Sequence, residues 1–182
     1  KLRPLALHHL GLVALLRKPE VVAPQQLMKL AKGDLATTIR IEGLEFDEYQ
    51  ARKPFEELTP IDPAPRMALE HRGCPPACRL IDLLCPIGYG TRGLIVAPPK
   101  AGKTILLQQI AMGIKQNHPD VDVVALLIDE RPEEVTDFRR NVPAEVLASS
   151  NDMDVDTHCR LGMLAIERAK RKLEAGRDVV VL

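Results

Sequence analysis

The sequence predicts an α/β fold: a parallel sheet with helices on both faces, preceded by a small N-terminal region and a proline-rich linker. Three observations predict it. Short apolar runs recur at Gly93–Ala97, Val121–Ile128 and Asp178–Leu182, without the polar alternation of a half-exposed strand, as in strands buried on both faces. Segments with helical periodicity lie between them, at Lys103–Gln116 and Asp156–Ala175. The first apolar run also leads directly into a glycine-bearing turn and a helix, and ligands in such sheets sit at the carboxyl ends of the strands.

The elements follow in order. Residues 1–41 read as short helices and one strand. Pro24 suits a helix start, Leu27, Met28, Leu30 and Ala31 give an apolar side, and Gly33 suits a stop. Thr37-Thr38-Ile39-Arg40-Ile41 alternates enough for a short strand. Residues 42–78 read as a linker or a strap along a surface, because Glu42–Pro65 is acidic and proline-rich and each residue before a proline is biased to extended geometry. Residues 79–182 carry the sheet. After the strand at Gly93–Ala97, Ile105, Leu106, Ile110 and Ile114 fall on one side of the Lys103–Gln116 helix. Val121–Ile128 is the second buried strand, Pro132–Arg140 a short helix with Pro in its first turn, and Glu145–Ala148 a third strand. The long helix over Asp156–Ala175 turns Leu161, Leu164, Ala165, Ala169 and Leu173 inward and stops at Gly176, before the strand at Asp178–Leu182.

Composition narrows the function classes. The chain has 182 residues, 25 basic and 25 acidic, so it lacks the charge excess of a body that coats nucleic acid electrostatically. Aromatics are 3% with no Trp, too few for a stacking platform that tracks single-stranded nucleic acid. No apolar run reaches the roughly 18 residues of a membrane span. Lys1 and Arg3 before Leu5–Leu16 faintly resemble a signal peptide, but a small-x-small cleavage site is missing and Pro19 and Glu20 follow. A first residue of Lys implies that the true start lies upstream. His71, Cys74 and Cys78 could begin a zinc site, but the spacing lacks the paired CxxC form, and the four cysteines read as reduced cytosolic thiols. His118 and His158 read as packing or surface residues, and Arg168, Lys170, Arg171 and Lys172 as a solvated helix face.

The strongest chemical signal is Ala97-Pro98-Pro99-Lys100-Ala101-Gly102-Lys103-Thr104, between a predicted strand and a predicted helix. Backbone N–H groups from Lys100 to Thr104 can wrap a polyphosphate, and the helix start adds a favourable dipole. Gly102 allows close backbone approach, Lys103 can reach the β- and γ-phosphates, and the Thr104 hydroxyl can ligate Mg²⁺. Ala97 stands where the pattern has Gly, at little cost if that position does not need a positive φ. A second site lies at the end of the next strand, in Leu127-Ile128-Asp129-Glu130-Arg131-Pro132. Glu130 is the candidate base for attacking water and Arg131 a candidate phosphate contact. Asp129, Glu133 and Glu134 read as structural, the last two as helix-start charges.

These residues resemble a known family. RGLIVAPPKAGKTILLQQIA, NHPDVDVVALLIDERPEEVTDFRR and RDVVVL, with FEELTPIDPAPRMALE and RLIDLLCPIGYGTRG, strongly resemble the Rho family of transcription termination factors over roughly Arg40–Leu182. The resemblance implies a RecA-like P-loop ATPase: a homohexameric, cytoplasmic, ATP-driven RNA translocase that dissociates nascent transcripts from RNA polymerase and has no membrane association. It implies ATP and Mg²⁺ as the bound groups. Gly88, Tyr89, Gly90, Thr91, Arg92, Gly93, Lys100, Ala101, Gly102, Lys103, Thr104, Ile105 and Arg131 would line the nucleotide, with Glu130 and Lys103 catalytic and Thr104 on the metal. Ser149–Asp154 and the sequence CPPAC depart from the family's usual pattern. Residues 1–41 would be the end of an RNA-binding region. The family's metal-coordinating aspartate, RNA-contacting loops and arginine finger would follow Leu182, so the piece alone is expected to be a poor catalyst. Two other readings remain: another RecA-fold ATPase, such as a rotary or secretion ATPase subunit, and a non-catalytic nucleotide-binding remnant.

Overall fold

In the computed structural model of the chain, the described residues are 40–45, 48–49, 51–60, 62–98 and 100–182. The helices expected before Arg40, and Thr37–Ile39 of the first strand, lie outside them. Strands β1 (Arg40–Ile41) and β2 (Leu44–Glu45) form an antiparallel hairpin. Its turn places Glu42 and Gly43 at positive φ, 50° and 88°. Phe55–Glu57 makes one 3₁₀ turn. Helix α1 (Pro76–Leu84), helix α2 (Lys103–Asn117), strand β3 (Asp122–Glu130), helix α3 (Pro132–Asn141), strand β4 (Glu145–Ser150), helix α4 (Val155–Glu174) and strand β5 (Val179–Val181) complete the order.

The described residues form two compact units. One joins those up to Glu57 with Asp154–Gly176; the other holds Leu58–Met153 and Arg177–Leu182. In the second unit, β3 is the central strand of a parallel sheet ordered β4-β3-β5. Its valines and alanine are buried, because a central parallel strand has no solvent side. Ile110, Ile114, Val123, Ala125, Leu127, Val135, Phe138 and Val142 make one apolar cluster from α2, β3 and α3. Gln108 Nε2 donates to Asp137 Oδ2 at 2.9 Å, tying α2 to α3. Pro132 at the first turn, Glu133 and Glu134 behind it, and Arg139 and Arg140 at the end suit α3 to its dipole.

Three expectations are corrected. Gly93–Ala97 is not a strand among the described residues, and Leu94 and Val96 are 87% and 84% exposed. A strand needs a ladder partner as well as apolar side chains, and β4, β3 and β5 pair only with one another. Ile105 is exposed, whereas Leu106 packs against the core and Ile110 and Ile114 are buried: the apolar stripe of α2 begins at Leu106. Finally, the stretch read as linker enters the core. Met67 and Leu69 are buried, and α1 begins inside that stretch, started by Pro75 and Pro76.

The strap is held by an acid the periodicity did not single out. Asp82 on α1 is buried and accepts from the Leu69 N–H, at 3.0 Å to Oδ2 and 3.2 Å to Oδ1, and from the Glu70 N–H at 2.8 Å, with Arg66 Nη2 3.2 Å away. Asn117 Nδ2 donates to the Ala68 and Glu70 carbonyls at 2.9 and 3.0 Å. Thus the strap's backbone polar groups find side-chain partners where the sheet supplies none.

In the other unit, Asp154 caps α4 by accepting from the Thr157 N–H at 2.9 Å. At the far end of α4, the buried Glu174 accepts from the Tyr49 hydroxyl and from the Phe55 N–H at 2.9 Å. Arg171 Nη1 lies 2.9 Å from the same carboxylate.

Candidate nucleotide site

The loop before α2 has the backbone that phosphate binding asks for. Lys100 has φ 63° and Gly102 φ 89°, so two left-handed residues curl the chain ahead of the helix. Ala97 is not among the positive-φ residues, so its methyl group meets no backbone penalty. The Ala101 N–H donates to Pro98 O at 3.2 Å, and the first helical bond runs from the Leu106 N–H to Gly102 O at 2.9 Å. The amides of Lys103, Thr104 and Ile105 therefore begin the helix without an intrahelical acceptor, and Gly102 has no side chain to cap them. Such amides, with the helix dipole behind them, suit an anion.

The second half of the site comes from β3. The β3–β4 register shifts between Leu127 and Glu130, and Asp129 sits at φ 59°. The ladder resumes beyond this irregularity with Glu130 opposite Ser150, and Glu130 is half-buried, 21% exposed at its side chain, at the carboxyl end of the central strand. A non-glycine residue in that region is strained, and such strain gathers at functional sites. Glu130 Oε1 lies 3.7 Å from Lys103 Nζ. Thr104 Oγ1 donates to Glu134 Oε2 at 3.1 Å. The first two residues of α2 thus face two acids, one from the end of β3 and one from the first turn of α3.

Glu134 is the residue that sequence reasoning missed. Its place in the first turn of α3 accounts for a helix-start charge, and that reading was sufficient without tertiary contacts. The available signal was spacing: it lies four residues beyond Glu130, and Pro132 turns that step into helix.

The remaining candidates are placed as follows. Arg131 is the N-cap of α3 and exposed, its carbonyl accepting from the Val135 N–H at 3.1 Å. Lys100 and Ala101 are exposed loop residues. Gly88–Thr91 is a turn closed by the Thr91 N–H on Gly88 O at 3.0 Å and the Gly88 N–H on Thr91 Oγ1 at 2.9 Å. Gly90 follows at φ 91°, and Thr91, Arg92 and Gly93 are exposed. Gly88 backs onto the strap, where a Cβ would meet Pro65 O at 3.2 Å. Tyr89 is not brought to Lys103, Thr104 and Glu130. Its hydroxyl is 3.3 Å from His118 Nδ1, at the opposite end of α2, about 22 Å along the helix from the loop.

No group of three or more His, Cys, Asp or Glu able to hold a metal ion occurs among the described residues, so His71, Cys74 and Cys78 do not assemble a zinc site there. His71 Nδ1 lies instead 3.1 Å from Leu69 O. No helix among the described residues is long and apolar enough to cross a membrane.

Comparison with known proteins agrees with this geometry. Residues 77–182 match the ATP synthase alpha/beta family, nucleotide-binding domain. The chain is also similar to proteins named transcription termination factor Rho. The one from Akkermansia muciniphila is 51% identical over 148 residues, 81% of this chain and 31% of that protein. That of Streptomyces coelicolor is 51% identical over 148 residues, 81% and 35%. That of Aquifex aeolicus is 51% identical over 146 residues, 78% and 34%. The chain spans about a third of the length of these curated relatives. With the strand-end acids, the phosphate loop and the parallel sheet in place, the chain belongs to the ATP synthase alpha/beta family through its nucleotide-binding domain, and its sequence relatives there are Rho transcription termination factors.

Proposed function

We propose that this chain is part of an ATP-driven RNA translocase of transcription termination, contributing the phosphate loop and the catalytic glutamate of its ATPase. The observation that carries the reading is the 3.7 Å approach of Lys103 to Glu130, with Thr104 beside it on Glu134. The Lys100–Ile105 backbone cradles the phosphates, and Lys103 leaves Glu130 to pair with them. Glu130, at the strand end, takes the proton of the attacking water. Arg131, directly after Glu130, reaches the nucleotide from its rim, while Tyr89 holds the turn Gly88–Thr91 on His118 at the other end of α2.

The donor set suits Mg²⁺ with ATP. The Thr104 hydroxyl gives its hydrogen to Glu134, so its lone pairs are left for a cation, and Glu134 acts as a positioning residue. When bound, the metal would neutralise charge on the β- and γ-oxygens. RNA as the partner, RNA polymerase as the opposed complex, a homohexamer and a cytoplasmic setting are supported by the likeness to the termination factors.

Two substitutions in the complete protein test the reading. Lys103→Ala should weaken ATP binding about 10- to 100-fold, the loss of charge-assisted contacts worth about 1.5–3 kcal/mol, measured by equilibrium titration. Unchanged affinity refutes the loop assignment. Glu130→Gln should lower ATP turnover by about 10²–10⁴ while ATP still binds, as expected for a lost general base. Retained turnover refutes its role. The family match also fits a rotary-type ATPase subunit. ATPase activity of the complete protein that rises with polycytidine RNA favours the translocase; activity indifferent to RNA favours the other.

A further inference from the structure

Outside the nucleotide site, Cys74-Pro75-Pro76-Ala77-Cys78 sets two thiols four residues apart at the start of α1. The Cys74 N–H donates to His71 O at 3.0 Å, Pro75 is extended at φ −61° and ψ 154°, and the Cys78 N–H returns to Pro75 O at 3.1 Å. These two turns carry both side chains into one apolar cluster, Cys78 fully buried and Cys74 half-buried. Burial first, then the neighbouring Cys74, pushes the Cys78 thiol up. Cys78 Sγ is 3.6 Å from the Gln109 carbonyl, on the helix that carries the phosphate loop. Cys85 and Cys159 are exposed and have no such arrangement.

We propose that Cys74 and Cys78 are a modification site: a dithiol that peroxide converts to a reversible Cys74–Cys78 disulfide, with Cys74 meeting the oxidant and Cys78 resolving. Exposure sets the order, since the oxidant reaches the half-buried sulfur before the buried one, and a sensor thiol commonly stands beside a resolving one. The Cys74 thiolate attacks a peroxide oxygen, the O–O bond breaks, and hydroxide leaves a sulfenic acid. The Cys78 thiol then attacks that sulfur and gives up its proton as it does so. The S–S bond forms, the S–O bond breaks, and the departing hydroxide takes up the Cys78 proton as water. In sum, two thiols and one hydrogen peroxide give one disulfide and two waters. The ring closed is short, so its loop entropy opposes the bond little. Oxidation removes the S–H that α1 presents to the Gln109 carbonyl of α2, so the change reaches the phosphate-loop helix directly.

The test is peptide mapping of this chain after hydrogen peroxide treatment and alkylation. Trypsin cuts after Arg72 and Arg79, so both thiols lie in one peptide, Gly73–Arg79. The expected product is that peptide unalkylated and lighter by two hydrogens, returned to the doubly alkylated form by dithiothreitol. In Cys78→Ser, dimedone should capture a sulfenic acid on Cys74. A peptide that stays doubly alkylated, one whose cysteines pass separately to sulfinic acids, or a Cys78→Ser protein without the dimedone adduct would overturn the proposal.

Discussion

Single residues in this protein do work that their chemistry alone does not announce. Asp129 reads as a strand-end acid, yet its backbone at φ 59° lies where the β3–β4 register shifts, just before the half-buried Glu130 pairs with Ser150. Asp tolerates that conformation better than β-branched residues because its short polar side chain can bond locally. Tyr49 is the clearest titration case. Burial first, then the hydrogen bond to the Glu174 carboxylate, push its hydroxyl up to about 12 from an ordinary 10.0, while Arg171 opposes. The folded state therefore holds the proton where the unfolded chain has released it. The stabilisation is fully present below about pH 10 and is lost as pH rises through about 12. Spectrophotometric titration should show a tyrosinate signal near pH 12 that vanishes in Tyr49→Phe. If that substitution removes a transition near pH 10 instead, the buried pair with Glu174 is not what holds the proton.

At the scale of elements, α2 serves two functions at its two ends. Its first amides face the phosphate site, and its middle receives the strap. Gly113 makes that contact possible: a Cβ there would lie 2.7 Å from Leu69 O and 3.1 Å from Leu69 Cα, both backbone atoms that cannot swing away. Alanine favours helix over glycine by about 1 kcal/mol, but overpacking against backbone costs about 1–3 kcal/mol. Gly113→Ala should therefore destabilise by up to about 2 kcal/mol, seen as a lower urea midpoint at unchanged slope. A higher midpoint would mean that the strap is not seated on α2. This contact was not legible in the sequence, since nothing in Gly113 or Leu69 names the other. The elements α2, β3, α3, β4, α4 and β5 were legible, because each carries its own period of apolar residues and its own start or stop residue. The helix α1 was not, because its two prolines read as strap until Asp82 and Cys78 are seen buried.

For the whole molecule, the exposed apolar residues are informative. Leu94 and Val96, at 87% and 84% exposure, follow the turn Gly88–Thr91 and precede the phosphate loop, and the sheet β4-β3-β5 supplies them no partner. Exposed apolar surface of this kind drives association. This chain should therefore self-associate with rising concentration in sedimentation experiments, and Leu94→Ser with Val96→Ser should reduce it. Association unchanged by the double substitution would place the sticky surface elsewhere, with the exposed Leu83 and Leu84 of α1 the next to test.

What the sequence by itself determined is the local chemistry: a glycine-bearing loop before a helix, acids after a buried strand, and the apolar periods that set most elements. These are short-range properties, written in a few consecutive residues. Only the tertiary structure decided which acids meet which loop residues. It set Glu130 against Lys103 and Glu134 against Thr104, and it held Tyr89 at the other end of α2. It also turned a proline-rich strap into core and left an apolar run without a strand beside it. The physical reason is the same in each case. Pairing and burial depend on partners distant in sequence, so a residue's own type sets what it can do, and the packed neighbours set whether it does it.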